Sequence, residues 1–204
     1  MKLKSIASLC KARKAVTICS GGGCQYVGNG WACYLVPGKL ELNKENVLTI
    51  FDIPEDKQPD WMVWEESLLD LMADVLQGEE QAEIYPFDLN CYDSTYRLLK
   101  DADGIAVIDT QYLAPLAGIK QGLQYYIRRT RSGQEVVAVK TGFELLALIA
   151  TSNVEIIKDA FLDNLQDLRW ECGRWADKHQ QQEEDAAQLR IDPETGEVEG
   201  NEDV

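Results

Sequence analysis

The sequence predicts an α+β fold in which two βαβββ units build one domain, and three observations predict it. Residues 103–150 run strand, helix, then three strands. Residues 1–38 run through the same order in a weaker form. Residues 39–83 and 153–182 abandon that order for apolar residues at helical spacing. The expected organisation is therefore a domain over 1–152, with units 1–38 and 84–150 around a helical insertion at 39–83. A C-terminal helix over 153–182 and a disordered acidic tail over 183–204 follow it.

In the first unit, Met1–Lys4 reads as a short strand and Ser5–Ala12 as a helix burying Ile6, Leu9 and Cys10. Ala15–Cys19 is a β-branched strand, and the glycine-rich run at 20–23 is a turn. Cys24–Val27 and Trp31–Val36 flank Gly28-Asn29-Gly30, where Asn and Gly tolerate positive φ in a tight hairpin. Pro37-Gly38 closes the unit. The glycine run lacks the Lys-Ser or Lys-Thr and the following helix that a phosphate-cradling loop needs, which excludes nucleotide binding there.

In the insertion, Asn43 is placed to cap a helix through Val47, Leu48, Ile50 and Phe51 that stops before Pro54. PEDKQPD reads as a polar linker. Trp61–Leu76 sets Trp64, Leu68, Leu71, Met72 and Val75 on one helical face. Ile84–Leu89 and Tyr96–Leu99 then resume β character.

The second unit is the clearer one. Gly104–Ile108 suits a strand, Asp109 or Thr110 can cap the next helix, and Tyr112, Leu113, Leu116 and Ala117 share its face. Pro115 lacks an N–H, so that helix must start later or kink. Leu123, Tyr125 and Ile127 alternate, Arg131–Gly133 forms a turn, and Val136–Val139 and Phe143–Ile149 are joined at Thr141-Gly142.

Beyond Ala150, Ser152 to Glu155 has the spacing of a capping box. Val154, Ile157, Phe161, Leu165, Leu168, Cys172 and Trp175 then form one apolar stripe. Phe161, Leu165, Leu168 and Trp175 are the candidate partner-binding residues, through packing on the body, self-association or a protein partner.

Composition narrows the chemistry. The chain has 204 residues, 45% of them hydrophobic, enough for a substantial core. No apolar run approaches the roughly 20 residues of a membrane span, and MKLKSIASLCKARK has no apolar signal core, so a cytoplasmic location without membrane association is expected. The six cysteines include no CxxC pair, and the single histidine, His179, sits in a polar Gln-rich stretch. No metal, no cofactor and no catalytic set is therefore expected, and the cysteines read as reduced core residues. The net charge is −15, of which residues 183–204 carry −8 through nine acidic residues and one basic one. The body is left at −7, which disfavours strong nonspecific DNA binding but leaves room for a local basic face. Lys2, Lys4, Lys11, Arg13 and Lys14 form such a cluster around the first helix, with Lys4, Ser8 and Lys11 opposite Ile6 and Leu9. They are the candidate duplex-DNA contacts; the ordinary alternative is a solvated face.

The strand-to-helix step VIDTQYLAPLAGI and the returning strands LQYYIRR, EVVAVK and FELLALIA resemble the repeating unit of DNA polymerase sliding clamps, which likewise pair two such units by pseudo-symmetry. Pro115 and the insertion depart from that pattern. The resemblance implies a non-enzymatic processivity module for DNA replication that encircles DNA, with helices facing the phosphates and normally six such domains to a ring. Residues 1–38, the acidic connection and the central unit also resemble uncharacterised prophage proteins of Gram-positive gut bacteria. That second resemblance implies a mobile-element origin and carries no activity with it. The acidic body, the inserted helices and the long C-terminal helix favour the alternative, a protein-interaction adaptor of such an element that keeps the fold without encircling DNA.

Overall fold

The computed structural model describes residues 2–21, 23–38, 40–66, 79–91, 93–102, 104–119, 122–130, 133–155, 157–159, 162, 169–170, 174, 190–191 and 198–199. The chain divides into two compact units, Met1–Ile157 and Lys158–Val204.

The first unit opens with helix α1 (Leu3–Arg13), which buries Ile6, Ala7 and Cys10 and packs Leu3 and Leu9 against the same core. The strand expected at Met1–Lys4 is thus replaced by the start of a helix, because Leu3 and Ile6 reach the core together only at helical spacing. Lys14 closes α1 in the left-handed region (φ 50) and lets the chain turn into β1 (Ala15–Gly21). Strands β2 (Cys24–Gly28) and β3 (Ala32–Leu35) follow as an antiparallel meander, Thr17 opposite Gly28 and Gly28 opposite Cys33.

The insertion is less helical than its sequence suggests. Helix α2 covers only Val47–Ile50, and Asn43 Oδ1 instead caps the preceding turn by accepting from the N–H groups of Glu45 and Asn46 at 3.0 and 2.9 Å. The PEDKQPD stretch is not an open linker, because Glu55–Asp60 winds into a 3₁₀ helix. Met62–Glu66, expected to start a helix, forms strand β4, parallel to β1 with Ala15 opposite Met62 and Thr17 opposite Trp64. Two things outweigh the helical spacing there. The Met62 N–H donates to the Lys14 carbonyl at 3.0 Å, and Val63 packs into the core while its neighbours face out. The rest of that expected helix, 67–76, lies outside the described residues.

Strands β5 (Glu83–Cys91), β6 (Ser94–Lys100) and β7 (Ile105–Asp109) form a three-stranded antiparallel sheet. A 3₁₀ helix, Thr110–Leu116, succeeds it where an α-helix was expected. Asp109 is its cap, accepting from the Gln111 N–H at 3.0 Å, and the tighter winding accommodates Pro115, which is buried with Tyr112 and Leu116. Ala117, expected on that buried face, is exposed. Strands β8 (Gln124–Arg129), β9 (Glu135–Thr141) and β10 (Glu144–Ala150) complete the second meander, with Gly142 (φ 58) in the β9–β10 turn and Phe143 outside β10 and exposed.

The large sheet has the order β4-β1-β2-β3-β10-β9-β8. The two helix-plus-three-strand segments therefore meet head to head at the antiparallel β3–β10 pair, with strand orders mirrored about it. α1 and the Thr110–Leu116 helix pack together, and the Lys2 N–H donates to the Pro115 carbonyl at 3.2 Å. Val16, Ile18, Val27, Tyr34, Val137, Val139 and Ala147 belong to the main core with α1, whereas Cys19, Tyr26, Cys33, Ala138, Leu145 and Leu148 form a second cluster.

At the end of this unit Asn153, not Ser152, supplies the cap, accepting from the Glu155 N–H at 2.9 Å. The Ser152 N–H is spent on the Val107 carbonyl at 2.7 Å. Residues 154–155, 157–159, 162, 169–170 and 174 are helical; Phe161, Leu165, Leu168 and Trp175 lie outside the described residues. In the second unit the Arg174 guanidinium stacks 3.8 Å from the Trp170 ring. The tail is not wholly irregular: β11 (Arg190–Ile191) pairs antiparallel with β12 (Val198–Glu199), β-branched Ile191 opposite Val198.

Candidate nucleic-acid interface

All five predicted contact residues are exposed on or beside α1, yet they divide into two groups. Lys2, Lys4 and Lys11 make no ion pair among the described residues. Lys4 and Lys11 line a shallow groove with Ser8, Ile50, Phe51 and Asp52, so one carboxylate sits beside the two ammonium groups. Ser8 Oγ donates to the Lys4 carbonyl at 3.0 Å, one turn back along the exposed face of the helix. The neighbouring Thr110–Leu116 helix carries no cation.

Arg13 and Lys14 are engaged elsewhere. Lys14 Nζ lies 3.4 Å from Asp60 Oδ2, both side chains well exposed, an arrangement worth little in water. The Arg13 guanidinium stands 4.8 Å from the Trp31 ring centroid, a cation–π contact that holds it at the end of the β2–β3 hairpin. Buried Asn29 builds that end. Its Oδ1 accepts from the N–H groups of Trp31 and Ala32 at 3.1 and 3.2 Å, and its Nδ2 donates to the Leu9 carbonyl of α1 at 3.3 Å. Cys10 Sγ donates to the Gly28 carbonyl at 3.2 Å, and burial pushes that thiol up to about 12, so it packs as a neutral group. The helix and the hairpin are thus locked together through residues 9, 10, 28 and 29.

Sequence reasoning missed two features. Trp31, Met62 and Trp64, each more than two-fifths exposed, line a cleft of about 360 Å³ with Arg13, Ala15, Asn29 and Gly30. The sequence spacing places Trp64 on the apolar face of a helix, which hides its alternation with Met62 along a strand. The other feature is a buried ion cluster in which Glu79 bridges Arg128 (2.6 Å) and Lys140 (2.7 Å). Burial raises the Glu79 pKa, but hydrogen bonds from Arg128 and Lys140 outweigh it and hold the carboxyl below its ordinary range.

Among the described residues no set of three His, Cys, Asp or Glu is grouped to hold a metal. No described helix is long and apolar enough to cross a membrane. Cys10, Cys19, Cys33 and Cys91 are buried free thiols, and Cys24 is an exposed one. No protein-family model, curated protein or solved structure matches this chain.

Proposed function

We propose that this chain is a non-enzymatic phage or prophage protein whose sliding-clamp-like domain associates with duplex DNA through the basic face of α1. The observation that carries the reading is the mirrored strand order about β3–β10, with α1 and the Thr110–Leu116 helix side by side. In such an arrangement Lys4 and Lys11 face outward, ready to meet successive phosphates and release their counterions. A ring would need several copies of the domain, so the mass in solution and the affinity for DNA bear on the same question.

The test is a titration of fluorescent duplex DNA at several salt concentrations, with wild type and the Lys4→Glu/Lys11→Glu variant. Each lost phosphate contact lowers the salt slope by about 0.9, so the pair lowers it by about 2 and reverses the local charge. Binding and slope unchanged by the double substitution move the assignment to the second reading, an adaptor that keeps the fold without encircling DNA. The exposed Trp31, Met62 and Trp64 favour that reading, since aromatic residues and Met are enriched where proteins meet.

A further inference from the structure

Among the described residues the two sheets of the first unit have four edges, and three of them are guarded. At β8 the Ala82 N–H donates to the Tyr125 carbonyl at 2.8 Å. At β7 the Ser152 N–H closes on Val107. β5 carries Pro86 and a register shift between Ile84 and Asp88, devices that keep an edge from accepting another strand. β4 has none of these. It pairs only with β1, contains no proline and no bulge, and among the described residues no backbone group bonds to its outer side. It also exposes Met62 (53%) and Trp64 (41%) on one face.

Charge is laid out along this edge. Arg13 lines the cleft with Met62 and Trp64, held against Trp31 and making no hydrogen bond or ion pair among the described residues. Lys14 lies beside it, its carbonyl bonded to the Met62 N–H and its ammonium paired with Asp60, so Arg13 supplies the positive charge at this end. Glu65 and Glu66 occupy the other end of the strand. The start of β4 is therefore cationic, its middle apolar and its end anionic.

We infer that the free edge of β4 takes an extended peptide segment of a partner protein by strand addition. The segment runs antiparallel, with a basic residue at its amino end facing Glu66, which shares the face of Met62 and Trp64. Glu65 lies on the other face and accepts from the Lys44 N–H at 3.2 Å. An apolar β-branched or aromatic residue packs across from Trp64, and an acidic residue at its carboxyl end meets Arg13. The backbone bonds supply affinity and the side chains at alternate positions supply selection, as in other strand-addition complexes. This surface involves neither Lys4 nor Lys11, so it stands whether or not the DNA reading does.

The probe is a capped, fluorescein-labelled peptide of about seven residues, the length of a typical strand, alternating valine and threonine between an amino-terminal arginine and a carboxyl-terminal glutamate. Anisotropy is measured against the full chain. Three companion peptides have the terminal charges exchanged, or alternate amides N-methylated in one register or the other. The inference expects binding of the parent peptide and loss of about tenfold on exchanging its charges. It expects loss of binding for one N-methylated register only, because only alternate amides of an added strand face β4. Trp64→Ala and Arg13→Glu, at exposed positions, each weaken binding by about tenfold, whereas Lys4→Glu/Lys11→Glu leaves it unchanged. Three results each overturn the inference: no binding of the parent peptide below about 1 mM, equal binding of both N-methylated peptides, or a dimer that the parent peptide does not dissociate. The peptide comparisons require no variant, so a misfolded substitution does not decide the matter.

Discussion

Replacing Glu79 by Gln tests whether the buried ion cluster holds the second meander together. Glu79 lies between the Arg128 and Lys140 side chains, which are 1% and 4% exposed, and it is itself 5% exposed. Lys140 also stands 4.0 Å from the Tyr126 ring. The amide keeps the shape of the carboxylate and removes its charge from between two buried cations. Breaking a buried pair from one side costs about 3–5 kcal/mol. At about 2–4 °C per kcal/mol for a unit of this size, the melting temperature falls by roughly 6–20 °C. The pH dependence fixes the sign. The folded Glu79 pKa lies below its ordinary value of 4.5, so its contribution is complete above that value and is lost as pH falls through the folded one. Urea unfolding of wild type and Glu79→Gln should show a gap that is level from pH 7 to 5 and narrows only at lower pH. A gap below about 1 kcal/mol, or one already closing between pH 7 and 5, refutes the reasoning.

Two further predictions concern the hairpin beside the cleft. At Gly28 an added Cβ would lie 1.6 Å from the Ala32 carbonyl oxygen and 2.8 Å from the Cys33 Cα, both backbone atoms, so Gly28→Ala should lower the urea midpoint by the equivalent of about 3 kcal/mol or more. Asn29→Ala removes three hydrogen bonds at a buried site. It should cost about 1–3 kcal/mol and shift Trp31 emission to the red as the hairpin loosens from α1.

What the sequence made legible, and what it hid, follows from how far apart the interacting residues lie. Both meanders show in local alternation. Val136–Val139 and Leu145–Ile149 are continuous apolar runs because both faces of β9 and β10 are covered, and Gly142 marks the turn between them. Asp109 is a cap by residue type alone. β4 was invisible because its pairing with β1 spans some 47 positions, Ala15 to Met62, while Trp64, Leu68 and Leu71 mimic a helix locally. The same distance hid the Glu79 cluster, whose partners lie 49 and 61 residues away. At the candidate interface, composition picked out the basic cluster but not its division. Spacing alone says that Lys4 and Lys11 share a face; only the folded hairpin, brought to the end of α1 by Asn29, takes Arg13 out of that set and gives it to Trp31. On the two readings proposed above, Lys4 and Lys11 on α1 would meet phosphate and Arg13, held by Trp31, would meet a peptide at β4, so Lys4→Glu should weaken DNA association alone and Arg13→Glu peptide association alone.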